Sequence, residues 1–123
     1  MSDPATHADF FARFQSFWAD PSGSRIPELI APDATIHFTG QEPFSGTDYI
    51  GLMGQMLETM EELKVTPVDY AGNGDMLYIF WRGSAVIEGE RRSYHGVDRF
   101  RLKNGMAIEE HVIFDPTVLA AAS

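Results

Sequence analysis

The spacing of apolar and polar positions divides the chain into a helical first half and a β-rich second half. Phe10, Phe11, Phe14, Phe17 and Trp18 recur at the three-to-four spacing of one helix face. Asp3 is placed to cap that helix, with Pro4 at its first position, where a missing N–H costs nothing. The run Asp20-Pro21-Ser22-Gly23 ends it. A short second helix is expected at residues 26–31, closed by Pro32. Residues 34–38 alternate as a strand, Ile36 and Phe38 on one side and Thr35 and His37 on the other. The turn-rich TGQEPFSG leads to a third helix, capped by Ser45 or Thr47 and running to about residue 62. Its apolar stripe is Ile50, Met53, Leu57 and Met60, with Met56 beside it.

From residue 63 the period becomes two. LKVTPVDY is a strand broken by the turn AGNGD, and MLYIFWRGSAVI is a long strand. One face of the latter, Leu77, Ile79, Trp81, Gly83, Ala85 and Ile87, is wholly apolar. EGER turns into residues 92–103, Asn104-Gly105 turns again into MAIEEHVIFD, and Pro116 ends the sheet. The expected fold is therefore α+β, a single domain over residues 1–123. A cone-shaped, curved antiparallel sheet packs on N-terminal helices and encloses an apolar pocket at its hollow end. The opposite face of the long strand (Tyr78, Phe80, Arg82, Ser84, Val86) mixes large apolar and polar groups. That mixture suits a sheet-to-sheet interface, so a homodimer is expected.

The stretch YHGVDRFRL carries the candidate chemistry. As a strand it places Tyr94, Gly96, Asp98, Phe100 and Leu102 on one face, so one carboxylate falls among apolar neighbours. The turn LKNGM allows two registers. A two-residue Asn-Gly loop pairs Lys103 with Met106 and sets Asp98 opposite His111. A three-residue loop pairs Leu102 with Met106, sets Asp98 opposite Glu110 and brings Arg99 against Glu109. Only the latter puts Met106, Ile108, Val112 and Phe114 on the side of Phe100 and Leu102, so it is the expected register. Asp98 and Glu110 would then share an apolar surface. Desolvation and mutual repulsion would raise at least one pKa, as general acid–base chemistry requires. Phe14, Phe38, Trp81, Val112 and Phe114 are expected to bound the cavity around Asp98, with Tyr49 and Tyr94 shaping or polarising it.

Composition narrows the classes. Eighteen acids against nine bases give a net charge of −9, which disfavours nucleic acid and anionic membrane surfaces as partners. The absence of cysteine removes disulfides and thiolate chemistry. MSDPATHADF is acidic and lacks the basic and apolar regions of a signal peptide, so the expected location is the cytoplasm. His7, His37, His95 and His111 have no metal-ligand spacing, and the GNG at 72–74 lacks the strand-to-helix context of a phosphate loop. No metal or other cofactor is expected.

The aromatic first helix, the segment PDATIHFTGQEPFSGTDYI and the segment YHGVDRFRLKNGMAIEEHVIFD together resemble the nuclear-transport-factor-2-like superfamily. Within it the chain resembles the SnoaL-like polyketide cyclases and ketosteroid isomerases. The resemblance implies an α+β cone with a deep pocket, commonly dimeric through the outer face of the sheet. It places Asp98 where the isomerases have an aspartic acid that donates to the substrate oxyanion, and where the cyclases use an aspartate as acid/base. It also places Phe14 where the isomerases have their oxyanion tyrosine and Phe38 where they have their proton-shuttling aspartate. A ketosteroid isomerase proper is therefore not expected. Two readings follow. One is a cofactor-independent acid/base enzyme (isomerase, cyclase or lyase type) on a small apolar carbonyl compound such as a polyketide, steroid or terpenoid, with Asp98 and Glu110 as its acids. The other is a non-catalytic module that binds a hydrophobic ligand or associates with a partner.

Overall fold

The computed structural model describes residues 3–120. Asp3 accepts the Thr6 amide hydrogen bond at 2.9 Å and starts helix α1 (Pro4–Ala19). Phe10, Phe14 and Phe17 are buried, and the Phe10 and Phe14 rings lie 4.8 and 5.7 Å from Phe100. A 3₁₀ helix (Gly23–Glu28) replaces the α-helix expected at 26–31. Ile30 and Ala31 already belong to strand β1 (Ile30–Phe38), and Pro32 lies inside it. Pro has no N–H to give a ladder, and the pairing skips there from Ile30 to Thr35. β2 (Phe44–Ser45) runs straight into α2 (Gly46–Thr59), whose cap is Ser45, bonded to the Asp48 amide at 3.0 Å. Four long strands follow: β3 (Glu61–Asn73), β4 (Met76–Ile87), β5 (Glu90–Lys103) and β6 (Met106–Phe114). A second 3₁₀ helix (Pro116–Leu119) follows them.

The strands form one curved, open sheet in the order β2-β1-β6-β5-β4-β3. It is mixed rather than purely antiparallel, because β1 lies parallel to β6. The chain leaves β1 through α2 and returns only after three strands, so no hairpin constrains the direction of that pairing. β1 is thus interior, between β2 and β6. His37 stacks on His111 of β6, ring centroids 4.2 Å apart, on the face away from Ala34 and Ile36.

Helix α1 is pinned to the turns of the β3–β4 and β5–β6 hairpins. Buried His7 meets the Gly74 carbonyl at 2.7 Å through Nε2. Arg13 donates to the carbonyls of Glu28 (2.7 Å) and Gly105 (2.6 Å), tying the helix to the 3₁₀ turn and to the β5–β6 hairpin. The opposite end, where β1 and β6 finish at Phe38 and Phe114, has no such ties from α1 and holds the cavity. No helix among the described residues is long and apolar enough to cross a membrane.

The final hairpin corrects the expected register. Asn104 and Gly105 both have positive φ (53° and 78°), so the loop is the two-residue kind and pairs Lys103 with Met106. One residue later the ladder slips: Leu102 faces Ala107, but Arg101 faces Glu109, leaving Ile108 as a bulge. The bulge restores the face that the tight turn alone would have reversed. Asp98 therefore faces Val112 rather than Glu110, Glu110 faces Phe100, and Arg99 faces His111 while Arg101 takes Glu109. Ala107, not Met106 or Ile108, fills the core at the hairpin end.

Candidate functional site

Glu110 lies in the middle of the sheet, flanked by Ile36 on β1 and Phe100 on β5, both 0% exposed. It is itself 2% exposed, and its Oε1 has no hydrogen-bond partner. Asp98, diagonally across on β5, is 5% exposed and accepts a hydrogen bond from the Trp81 indole, Nε1 to Oδ1, at 3.0 Å. The alternation of β5 and the bulge in β6 thus bring the two acids to one face, as neighbours offset by one step rather than directly opposed.

Their proton affinities follow from that setting. Burial pushes Asp98 up to about 6, opposed by hydrogen bonding with Glu110 and from Trp81. Burial raises Glu110 well above the usual carboxyl range, and the Asp98 charge and their mutual hydrogen bond add to it. Both acids therefore hold their protons more tightly than a carboxyl in water. A bare Oε1 is tolerable on a neutral carboxyl and far costlier on a charged one.

A narrow cavity of about 50 Å³ reaches Asp98, lined by Phe14, Phe38, Tyr49, Trp81, Val112 and Phe114 together with Trp18, Met56, Leu63 and Val65. A deeper space of about 20 Å³, room for one water, touches both Asp98 and Glu110 between Phe14, Tyr49, Met53 and Phe100. Asp98 is therefore the acid presented to the cavity, and Glu110 lies behind it. Outside, a groove of about 310 Å³ between α2 and the ends of β1 and β6 shares Phe38, Tyr49, Met56 and Phe114 with the inner cavity. Gln41, Gln55 and Thr59 supply its polar groups.

Six of the seven aromatic or aliphatic residues expected at the pocket line it. Tyr94 does not. It pairs with Gly83, and a Cβ on Gly83 would lie 2.8 Å from its ring. The ring folds across β4 and props Trp81 edge-on, centroids 5.7 Å apart at 89°, and Phe114 at 6.1 Å. Trp18, Met56, Leu63 and Val65 also line the cavity, beyond the residues the sequence marks. Trp18 and Met56 were visible as apolar stripe positions, but nothing local marks which stripe residues meet a cavity. Tyr49 is buried, and burial with the nearby Glu110 and Asp98 charges holds its phenol proton well above the ordinary range. It is thus a permanent O–H donor lining both inner spaces.

No curated protein matches the chain by sequence. Solved structures share its fold. A candidate SnoaL-like polyketide cyclase from Jannaschia sp. CCS1 is 17% identical, with 100% of this chain and 99% of that chain covered and a TM-score of 0.78. IdmH, a candidate polyketide cyclase from Streptomyces antibioticus, is 18% identical, with coverage of 92% and 94% and a TM-score of 0.77. A protein of ketosteroid isomerase-like fold from Catenulispora acidiphila, solved in complex with trimethylamine, is 13% identical, with coverage of 96% and 91% and a TM-score of 0.81. Residues 7–111 match the SnoaL-like domain. The chain therefore belongs to the SnoaL-like domain family.

Proposed function

We propose that this protein is a cofactor-independent acid/base enzyme that moves a proton on a small apolar carbonyl compound. The carrying observation is the pair of buried acids whose proton affinities burial raises, of which Asp98 opens on an apolar cavity. In this reading Asp98 takes the proton from the carbon beside the carbonyl, and the electron pair passes to the carbonyl oxygen as an enolate. The Tyr49 phenol donates to that oxygen, and Asp98 returns the proton to a different carbon, completing an isomerisation; in a ring closure the enolate carbon instead attacks a second carbonyl of the substrate, and Asp98 gives its proton to the alkoxide formed. Glu110, holding its proton behind Asp98, disperses the charge on Asp98 before the proton arrives. A dry, aromatic-walled cavity strengthens each of these interactions.

The likeness to candidate polyketide cyclases favours a polyketide fragment within the carbonyl class. The dimensions favour a slender reacting end in the 50 Å³ cavity with the apolar body in the 310 Å³ groove. Phe14 and Phe38, at the places of two isomerase groups, argue against a ketosteroid isomerase proper. The test is exchange of α-protons for deuterium, followed by NMR, over a panel of apolar ketones and 1,3-diketones. Wild type should accelerate exchange and Asp98→Asn should not. Saturable binding of panel members with no acceleration would favour the second reading, a hydrophobic-ligand module. The small inner cavity is the observation on that side.

The proposal includes a homodimer through the outer sheet face, where Tyr78 and Ile113 are 41% and 52% exposed around the stacked His37 and His111. A second copy would cover these exposed apolar groups by presenting the same face to it.

A further inference from the structure

Strands β4 and β5 pair Trp81 with Gly96 and Gly83 with Tyr94, so each ring has a glycine across from it. A Cβ on Gly96 would strike the six-membered ring of Trp81, lying 2.8 Å from Cη2, and would come within 2.6 Å of the Ile113 carbonyl. The indole thus lies flat in the space of the missing side chain, with Tyr94 against its edge and Phe114 at 6.2 Å. Held there, its Nε1–H reaches Asp98, two residues beyond Gly96, at 3.0 Å. Glu110 Oε1, by contrast, is buried and unpartnered. The other titratable groups at this chamber are Glu110 from β6 and Tyr49 from α2. Helix α1 and strands β1 and β3 present only apolar or indole groups there.

We propose that Trp81 is the positioning residue that assigns the two acids their roles, its indole, seated over Gly96, making Asp98 the proton acceptor and leaving Glu110 the proton holder. The physical reason is asymmetry. Two buried carboxyls sharing one proton place the charge where a donor waits for it, and the indole waits at Asp98 Oδ1 alone. That bond occupies one acceptor position of Oδ1. The inference rests on the reading of Asp98 as the acid that moves the proton.

Carboxyl NMR titration of the ¹³C,¹⁵N-labelled protein, wild type and Trp81→Phe, tests it. The wild-type Trp81 indole N–H resonance should titrate with the same midpoint as Asp98. In Trp81→Phe the Asp98 midpoint should rise by roughly one unit, the size expected from losing one charge-assisted hydrogen bond. Gly96→Ala, which displaces the indole without removing it, should move the midpoint the same way. An indole signal that ignores Asp98, or an Asp98 midpoint unchanged in Trp81→Phe, would overturn the assignment and leave Trp81 as packing. If Trp81→Phe does not fold, the wild-type indole titration decides alone. An Asp98 midpoint near 4 in wild type would instead bring down the acid/base reading itself, so the two failures are told apart.

Discussion

Asp98 and Glu110 are diagonal neighbours on one face of adjacent strands, Asp98 across from Val112 and Glu110 across from Phe100. The offset gives two like groups unlike surroundings. Asp98 meets the cavity and an indole donor, while Glu110 meets Ile36, Phe100 and an unfilled hydrogen bond. Chemistry that needs one charged and one neutral acid is served by that inequality.

Asp98→Asn should stabilise the fold at pH 8 by about 2–3 kcal/mol, because a neutral amide oxygen still accepts from Trp81 and no buried charge remains. The Glu110 midpoint should fall, since the Asp98 charge is one of the causes that raise it. Denaturant unfolding at pH 8 and pH 4 checks this: the gain should shrink at pH 4, where wild-type Asp98 is already protonated. A destabilised variant at pH 8 contradicts the paired-acid account.

Stability should decline as pH rises from about 4. Asp98 has a folded pKa of about 6, above its unfolded value, so between those limits the folded state binds a proton the unfolded chain has released. A difference of about two units corresponds to about 3 kcal/mol lost across that window, and Glu110 extends the decline to higher pH. Asp3, Glu28 and Asp115 have lowered pKa values and act oppositely, losing stabilisation as pH falls through the folded values. Calorimetry from pH 3 to pH 8 should place maximal Tm near pH 4–5. A Tm that climbs steadily to pH 7 would be incompatible with two raised carboxyls.

Gly72→Ala should destabilise by roughly 1–3 kcal/mol, because the new methyl would lie 2.5–2.7 Å from ring carbons of buried His7. His7→Ala removes both the obstacle and the bond to the Gly74 carbonyl. The double mutant should therefore lose less than the sum of the single losses, by urea unfolding of all four proteins. Strict additivity would mean that the helix is not docked through this contact.

Ile113→Asp should convert the proposed homodimer to monomer, since Ile113 is the most exposed large apolar residue on the outer face. Sedimentation velocity at micromolar concentration reads the outcome. A wild-type protein that is already monomeric ends the proposal.

Much of this molecule is written locally. The Asp3 cap, the aromatic stripe of α1, the Ser45 cap and the buried face of β4 each depend on residues within a turn or two of one another. Their periodicity therefore carries them without tertiary information. The likeness to the SnoaL-like family was legible for the same reason, from contiguous segments around Phe38 and Asp98. Binary pattern is also enough to put Asp98 and Glu110 on one face, although the hairpin reaches it through a different register from the one the pattern favours.

What only the tertiary structure decided depends on distant partners. The Asn104-Gly105 turn and the apolar pattern of β6 made conflicting demands, and a bulge at Ile108 satisfied both. A bulge leaves no local signature, because its benefit is earned against β5 and β1, far away in sequence. The parallel β1–β6 pairing, the 3₁₀ turn before β1 and the removal of Tyr94 from the pocket wall are of the same kind. The difference between the two acids is the sharpest case. Asp98 and Glu110 are both carboxyls on apolar faces in the sequence, and only folding brings the Trp81 indole to one of them and Ile36 and Phe100 to the other.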